Sequence, residues 1–452
     1  MCFAKAVPRG WLGVTLANLR ALVRGGDLLL KTRAHSCYYS RMRYEYIIIG
    51  GGIAGITAAE TIREHDPKGE IAIFSREPHL LYSRVEIPSF LKGLVRRDQL
   101  FLRTLGDFDK KRINLFSERS VESINIRHKK VVLDNRESVF YGKLLIAAGG
   151  ELEQWKVPGA YLNGVVRMQT LDDADAIAKH LGEAKKAVVV GDSFTALEFL
   201  EIFSLKKIPV TLVCLAPSVF PAILDAAGME LFTHNFKKHK IETRFGESIR
   251  EVKGTECVTG VRTSRPAELE ADTVAVDLGS TKNLVFFTGQ DIEIGKNGVK
   301  TNEYLKTSGE DVWAAGDITE YYDVVFEHHR SVSNWTSAFL QGETAGLNMV
   351  GKKTPFKNVS FYSITNLGLH ITALGECETG PDIETVSRSD TLQGMYERFF
   401  LDRSGILKGV FISNMFQDKP ILATWIERKV SLAGIRGRLS DIGLDLKDVV
   451  IG

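Results

Sequence analysis

The chain has 452 residues, 44% hydrophobic and 25% charged, ordinary values for a soluble globular protein of two or three domains. Its 58 basic and 56 acidic residues leave a net charge of +2, so bulk electrostatics make no case for nucleic acid or a membrane surface. No uninterrupted apolar run is long enough to span a bilayer.

The cysteines (Cys2, Cys37, Cys214, Cys257 and Cys377) lie too far apart for a CxxC redox pair or a local zinc knuckle. That fits a reducing compartment and a cytoplasmic location. Residues 1–41 offer another reading. They carry Lys5, Arg9, Arg20, Arg24, Lys31, Arg33 and Arg41 against the single acid Asp27, and residues 11–23 would form a basic amphipathic helix. This is the composition of an organelle-targeting peptide. Alternatively, Met42 is the natural start. Disorder is expected for this segment either way.

Residues 44–49 read as a buried strand running into Gly50-Gly51-Gly52-Ile53-Ala54-Gly55 and then a helix to about residue 64. In this pattern Gly50 permits the tight turn, Gly52 lets backbone approach a pyrophosphate, and Gly55 lets the helix pack on the strand. The phosphates would sit on the helix N-terminus. A second strand at 70–74 completes a βαβ unit, and Glu77 follows it, where a carboxylate can accept hydrogen bonds from an adenosine ribose. Residues 118–133 alternate as strands. A buried strand at 143–150 ends in Ala147, Ala148 and Gly149, small residues that suit backbone passing close to a ligand. A linker with Trp155, Pro158 and Gly159 follows.

The chain then repeats itself. Residues 186–196 align on the first glycine strand, Gly191 with Gly50, Ser193 with Gly52 and Ala196 with Gly55. A helix to residue 203 and a strand at 210–213 give a second βαβ unit. Its fingerprint is damaged, because Ser193 puts a side chain where a pyrophosphate would approach. Ala216 falls opposite Glu77, and residues 214–217 offer neither a carboxylate for a ribose 2′-hydroxyl nor an arginine for a 2′-phosphate. Two readings stand, a nicotinamide site and a relic of one.

Short strands over 241–278 close this inner unit. Another buried strand at 311–315 ends in Gly316-Asp317, and a helix over 335–350 carries Ala338, Gly342, Ala345 and Gly346, which permit close packing. Strands at 359–364, 370–374, 395–401 and 406–412, with a helix over 420–428, read as a separate C-terminal domain packed on the first, serving as a platform or interface.

Together these motifs resemble the FAD-dependent pyridine nucleotide-disulfide oxidoreductase superfamily, in particular its rubredoxin reductase, ferredoxin reductase and NADH oxidase branch, to which apoptosis-inducing factor is related. The resemblance covers roughly residues 43–430. It rests on the first glycine motif, Glu77-Pro78-His79 with Tyr82-Ser83-Arg84, residues 145–149, residues 314–317, Asn334-Trp335, Gln341-Gly342 and residues 345–349. It implies an α/β protein with two Rossmann-like, three-layer domains and a C-terminal α+β interface domain. The FAD domain would comprise residues 42–158 and 282–352, split around an inserted NAD(P)-binding domain at 159–281, with the interface domain at 353–452.

By the resemblance, FAD is held by Gly50, Gly52, Ala54, Gly55, Glu77, Ala147, Ala148, Gly149, Gly316 and Asp317, and Arg84 lies near the flavin. Asp317 would bind the ribityl chain. In the inserted domain Gly191, Ser193 and Ala196 form the nucleotide turn, and Glu198 matches an acid that helps place the nicotinamide; its other reading is a helix-surface carboxylate. A lysine found near Arg84 in many relatives is Ser89 here. The implied reaction is hydride transfer from NAD(P)H to FAD, then release of electrons to an acceptor such as a rubredoxin, a ferredoxin or oxygen.

Relatives that reduce disulfides, peroxide or coenzyme A disulfides carry cysteine in the first domain, and this chain has none between Cys37 and Cys214. No redox thiol is therefore expected. Cys214 and Cys257 read as ordinary buried thiols, and His328-His329 as a solvent-exposed pair without further metal ligands at useful spacing. Two hypotheses follow: an electron-transfer flavoenzyme, and an FAD-binding scaffold or partner-fed flavoprotein with a decayed nicotinamide site. NADH is favoured over NADPH because no basic cluster follows Val213. A homodimer is possible, and no metal site is expected.

Overall fold

A computed structural model describes residues 42–449; the readings of residues 1–41 lie outside the described residues. The first sheet is built on β1 (Arg43–Ile49), flanked in parallel by β2 (Ile71–Phe74) and then β3 (Ile113–Phe116). Every residue of β2 is buried, as is the C-terminal half of β1. A strand covered on both faces needs a continuous apolar run rather than an alternating one. On the other side β1 pairs in parallel with the strand Ser138–Ile146. The N-terminal half of that strand pairs antiparallel with Lys130–Leu133, and its C-terminal end pairs in parallel with Val312–Ala314. The chain thus leaves this sheet and returns to it. Residues 147–150 lie beyond the end of the strand Ser138–Ile146, not within a strand as the sequence suggests.

The helix α1 (Ile53–His65) packs against α2 (Trp335–Met349) at backbone distance. A Cβ on Gly342 would lie 2.3 Å from the Ala54 carbonyl oxygen, and one on Gly346 would lie 2.8 Å from that of Ala58. The small residues expected along α2 are therefore there for contact. This contact fixes α1 against the Gly316-Asp317 turn, since the buried Gln341 of α2 accepts a 2.8 Å hydrogen bond from the Gly316 N–H.

The inner unit has a parallel sheet in the order Glu242–Phe245, Val210–Cys214, Ala187–Val190, Thr273–Val276, Val165–Val166. A three-stranded antiparallel sheet, Ile249–Gly254, Val258–Thr263 and Glu268–Glu270, stands beside it. The sequence reading missed the helices Leu171–Leu181 and Ala226–Lys238.

The C-terminal sheet is antiparallel, in the order Phe361–Asn366, Leu369–Gly375, Leu407–Ser413, Met395–Asp402, Ile383–Asp390. The last of these is a strand the sequence reading did not place. The helix Lys419–Glu427 accompanies the sheet. As the sequence suggests, this domain packs on the first unit, where Val325 and Phe326 share a core with Phe399, Val410 and Trp425. It shares a second core with the inner unit, where Phe220, Phe232 and Phe236 meet Tyr396, Phe400 and Phe411. Asp225, capping the helix Ala226–Lys238, adds hydrogen bonds from Ser387 (2.5 Å) and Tyr396 (3.1 Å) across that junction.

Candidate active site

The outer glycine turn has the features a pyrophosphate needs. Gly50 sits at φ +112°, and a Cβ there would lie 2.1 Å from the Ala147 carbonyl oxygen; one on Gly55 would lie 2.1 Å from the Gly50 oxygen. Gly52 is different. Nothing lies within 4 Å of its missing Cβ, and as N-cap of α1 it supplies no side chain to occupy the first-turn N–H groups. An open helix start with free donors fits a diphosphate. Ala54 faces the Gly316 turn, where a Cβ on Gly316 would come within 3.2 Å of its own.

Asp317 opens onto the cleft but is otherwise enclosed by protein. Burial pushes its carboxyl above the usual range, against the opposing pull of Lys282 and Arg84. Lys282, which sequence reasoning missed, is in turn held below the usual lysine range by burial, with Asp317 opposing, and donates to Ser333 Oγ at 3.0 Å. It stands in an unpatterned loop, so no sequence signal marked it. Ala147, Ala148, Gly149 and Gly150 follow the strand Ser138–Ile146 toward the same side; the Lys282 Nζ would lie 3.6 Å from a Cβ on Gly150.

Glu77 lies just past the end of β2, as expected, and its carboxylate also has partners within the protein. Its carboxylate accepts from Tyr82 Oη at 2.6 Å and forms an ion pair with Arg84, which also donates to the Gln169 carbonyl at 2.7 Å. In this arrangement Glu77 orients the arginine that the resemblance puts beside the flavin.

At the inner turn Gly191 has φ +145°, and a Cβ would lie 2.6 Å from the Asp277 carbonyl oxygen. Ala196 is fully buried below it. Ser193 is the N-cap of α3 (Phe194–Leu205): its Oγ accepts from the Thr195 N–H at 3.1 Å and donates to the Asp277 carboxylate. The serine therefore uses a donor that a phosphate would want, and it ties a carboxylate to the same helix start.

Glu198, one turn along α3, is 7% exposed, which removes its reading as a helix-surface carboxylate. Lys92 Nζ lies 2.6 Å from its Oε2 and is also paired with Glu201. Lys92 lies three residues after Ser89, at the end of the helix Ile87–Lys92. Burial raises the Glu198 carboxyl, with Lys92 opposing. Lys92 itself is held above the usual range: burial lowers it, and the two glutamates outweigh burial.

One cavity of about 480 Å³ lies between Asp317 and the inner turn. Its walls include Asp317 from the outer site, Ser193, Phe194 and Thr195 from the inner turn, and Tyr362 from the C-terminal sheet. The Phe194 and Tyr362 rings have centroids 4.3 Å apart. The Tyr362 hydroxyl is pushed up to about 12 by burial and by the Glu198 and Asp277 charges.

The family model described as pyridine nucleotide-disulphide oxidoreductase matches residues 44–342, most of the chain. The chain belongs to that family. It is an FAD-dependent NAD(P)H oxidoreductase. Among its relatives, an NADH oxidase of Methanocaldococcus jannaschii is 28% identical over 330 residues, 71% of this chain and 73% of that one. The epsilon subunit of NADH-dependent phenylglyoxylate dehydrogenase of Aromatoleum evansii is 25% identical over 404 residues, 87% of this chain and 94% of that one. In fold, this oxidoreductase is similar to putidaredoxin reductase in its covalent complex with putidaredoxin: TM-score 0.83, 20% identity, 89% of this chain and 97% of that one. No helix among the described residues is long and apolar enough to cross a membrane.

Proposed function

We propose that this oxidoreductase takes hydride from NADH and passes electrons to a small iron–sulfur or rubredoxin-type protein or to oxygen, without a thiol intermediate. The observation that carries the reading is the single cavity bounded by Asp317 on the cofactor side and by the Ser193–Thr195 turn on the nucleotide side. FAD held at the outer turn would supply hydride acceptance and one-electron release. The protein's work is then positional: Gly52 and the α1 N-terminus hold the diphosphate, Asp317 the ribityl hydroxyls, and Phe194 with Tyr362 exclude water from the ring faces. Glu198, paired with Lys92, lies behind the lining on the same helix as Phe194 and would act only as a positioning residue.

No cysteine lines the cavity among the described residues, and the Cys214 and Cys377 thiols are buried, with burial pushing them up to about 11 and about 12. Thiols so protonated are poor nucleophiles. The ferredoxin reductase and putidaredoxin reductase likenesses support a small redox protein as acceptor by analogy of fold alone. The second reading, a scaffold or partner-fed flavoprotein, is favoured by the Ser193–Asp277 pairing at the inner helix start.

NADH oxidation followed at 340 nm with oxygen, a [2Fe–2S] ferredoxin or a rubredoxin as acceptor tests the proposal. Turnover that rises with one of the carriers and survives alkylation by N-ethylmaleimide is expected. Activity abolished by alkylation would contradict the thiol-free route.

A further inference from the structure

The strand Val210–Cys214 ends in Leu215-Ala216-Pro217, which has no group to hold an adenosine ribose. The glycine turn beside it does have one. We propose that Asp192 is the carboxylate that receives the adenosine ribose hydroxyls of the nicotinamide nucleotide, and that it selects NADH over NADPH. This rests on the reading of the inner turn as a working nucleotide site.

Asp192 follows Gly191 and precedes the α3 N-cap, and its carbonyl accepts a 2.9 Å hydrogen bond from the Phe220 N–H. The loop leaving the strand Val210–Cys214 is thereby folded back over the turn. The parallel pairing of Val190 with Val213 and the 3.3 Å hydrogen bond from the Gly191 N–H to the Val213 carbonyl set Asp192 beside the strand end whose own residues are neutral, and its charge helps burial raise the Cys214 thiol. It has no ion pair and no side-chain hydrogen bond among the described residues; its own backbone N–H is its one donor. Burial and the neighbouring Asp277 push it above the usual carboxylate range. A half-buried carboxylate without a cation loses hydration that a ribose diol can restore with two donated hydrogen bonds.

Two neighbours agree with this assignment. Leu215 is 74% exposed directly beyond the strand, an apolar surface for an adenine face. Glu247, 2% exposed, donates its N–H to the Cys214 carbonyl at 3.1 Å, and its Oε2 has no hydrogen-bond partner. A 2′-phosphate at the strand end would meet the Asp192 carboxylate, while Glu247 is buried and adds only to the local field. The facing cation, Arg265, is already engaged 3.6 Å from Glu247 Oε1. Asp277, also close, is bonded to Ser193 and adds to the negative field.

Calorimetric titration of the FAD-loaded full chain with NAD⁺ and NADP⁺ tests this without turnover. The wild type should bind NAD⁺ the more tightly, and Asp192→Ala should weaken NAD⁺ about tenfold while leaving NADP⁺ equal or tighter. Adding Ala216→Glu to that variant, which returns an acid to the strand end, should recover NAD⁺ affinity. A purely structural role for Asp192 does not predict that rescue. Asp192→Ala protein with unchanged flavin content and unchanged affinity for both nucleotides overturns the assignment. A wild type that binds neither nucleotide overturns the underlying reading of the inner site, and the assignment with it.

Discussion

Lys92 Nζ stands 2.6 Å from Glu198 Oε2, with both side chains at most one-tenth exposed, and its second partner is Glu201. One cation thus pairs with two carboxylates, one buried and one partly buried, at the junction of the outer unit and helix α3. Glu201 also accepts from the Leu367 N–H at 2.8 Å, which extends the network to the C-terminal sheet.

Removing that cation should be costly. Lys92→Met would leave one buried and one partly buried carboxylate without a counter-charge, a class of change that costs about 3–5 kcal/mol. Chemical denaturation of the FAD-loaded protein should show a loss of that order. The triple change Lys92→Met, Glu198→Gln, Glu201→Gln should recover most of it. A Lys92→Met protein as stable as wild type would show that the glutamates are hydrated in solution.

Asp317→Ala should yield a nearly colourless protein. The side chain opens onto the cofactor side of the cavity, and the turn that carries it is held by Gln341. The ratio of the flavin band to the protein band after purification should fall, and the dissociation constant for FAD should rise at least tenfold, a loss of about 1.4 kcal/mol of binding or more. Full flavin occupancy would remove Asp317 from cofactor binding.

Ser193→Gly bears on the damaged fingerprint. Glycine is a tolerated N-cap, so the helix should lose only a few tenths of a kcal/mol. The change frees the Thr195 N–H that Ser193 Oγ now occupies. NADH should bind several-fold more tightly in a fluorescence titration. Unchanged or weaker affinity would mean that the site has adapted around the serine.

Asp225 links pH to the docking of the C-terminal domain. Burial raises its carboxyl, but hydrogen bonds from Ser387, the Gly228 N–H and Tyr396, together with Arg398, outweigh burial and hold it below the usual range. A carboxyl depressed in the folded state contributes stability above its unfolded pKa of about 3.9, and loses it as pH falls through the folded value. Asparagine caps a helix as well as aspartate, so Asp225→Asn isolates the charge. The variant should melt below wild type at pH 7, by about 1–3 kcal/mol, and the gap should close below about pH 4. A gap independent of pH would assign the loss to geometry instead.

Much of the architecture was legible because its signals are local. Buried parallel strands need unbroken apolar runs, and glycine turns need glycine, so β1, Gly50 to Gly55 and the weaker repeat at Gly191 could be read directly. The small residues of α2 likewise reported a contact that the structure contains at Gly342 and Gly346. What escaped were pairings made across the fold. Lys92 sits on a short helix whose partner glutamates lie more than a hundred residues away, and Lys282 sits in a loop without pattern. Glu77 was legible as an acid in the expected place, but its engagement by Tyr82 and Arg84 depends on how the following loop folds. The docking of the C-terminal sheet on the inner unit depends on aromatic faces such as Phe411 and Phe232, whose partners no periodicity reveals.

If the inner turn delivers a nicotinamide to a flavin held at the outer one, anaerobic absorbance titration of the purified holoprotein will show it. A flavin band bleached stoichiometrically by NADH, and less readily by NADPH, is expected. A yellow protein indifferent to both nucleotides, yet reduced by dithionite, would contradict that delivery and give the scaffold or partner-fed reading the lead.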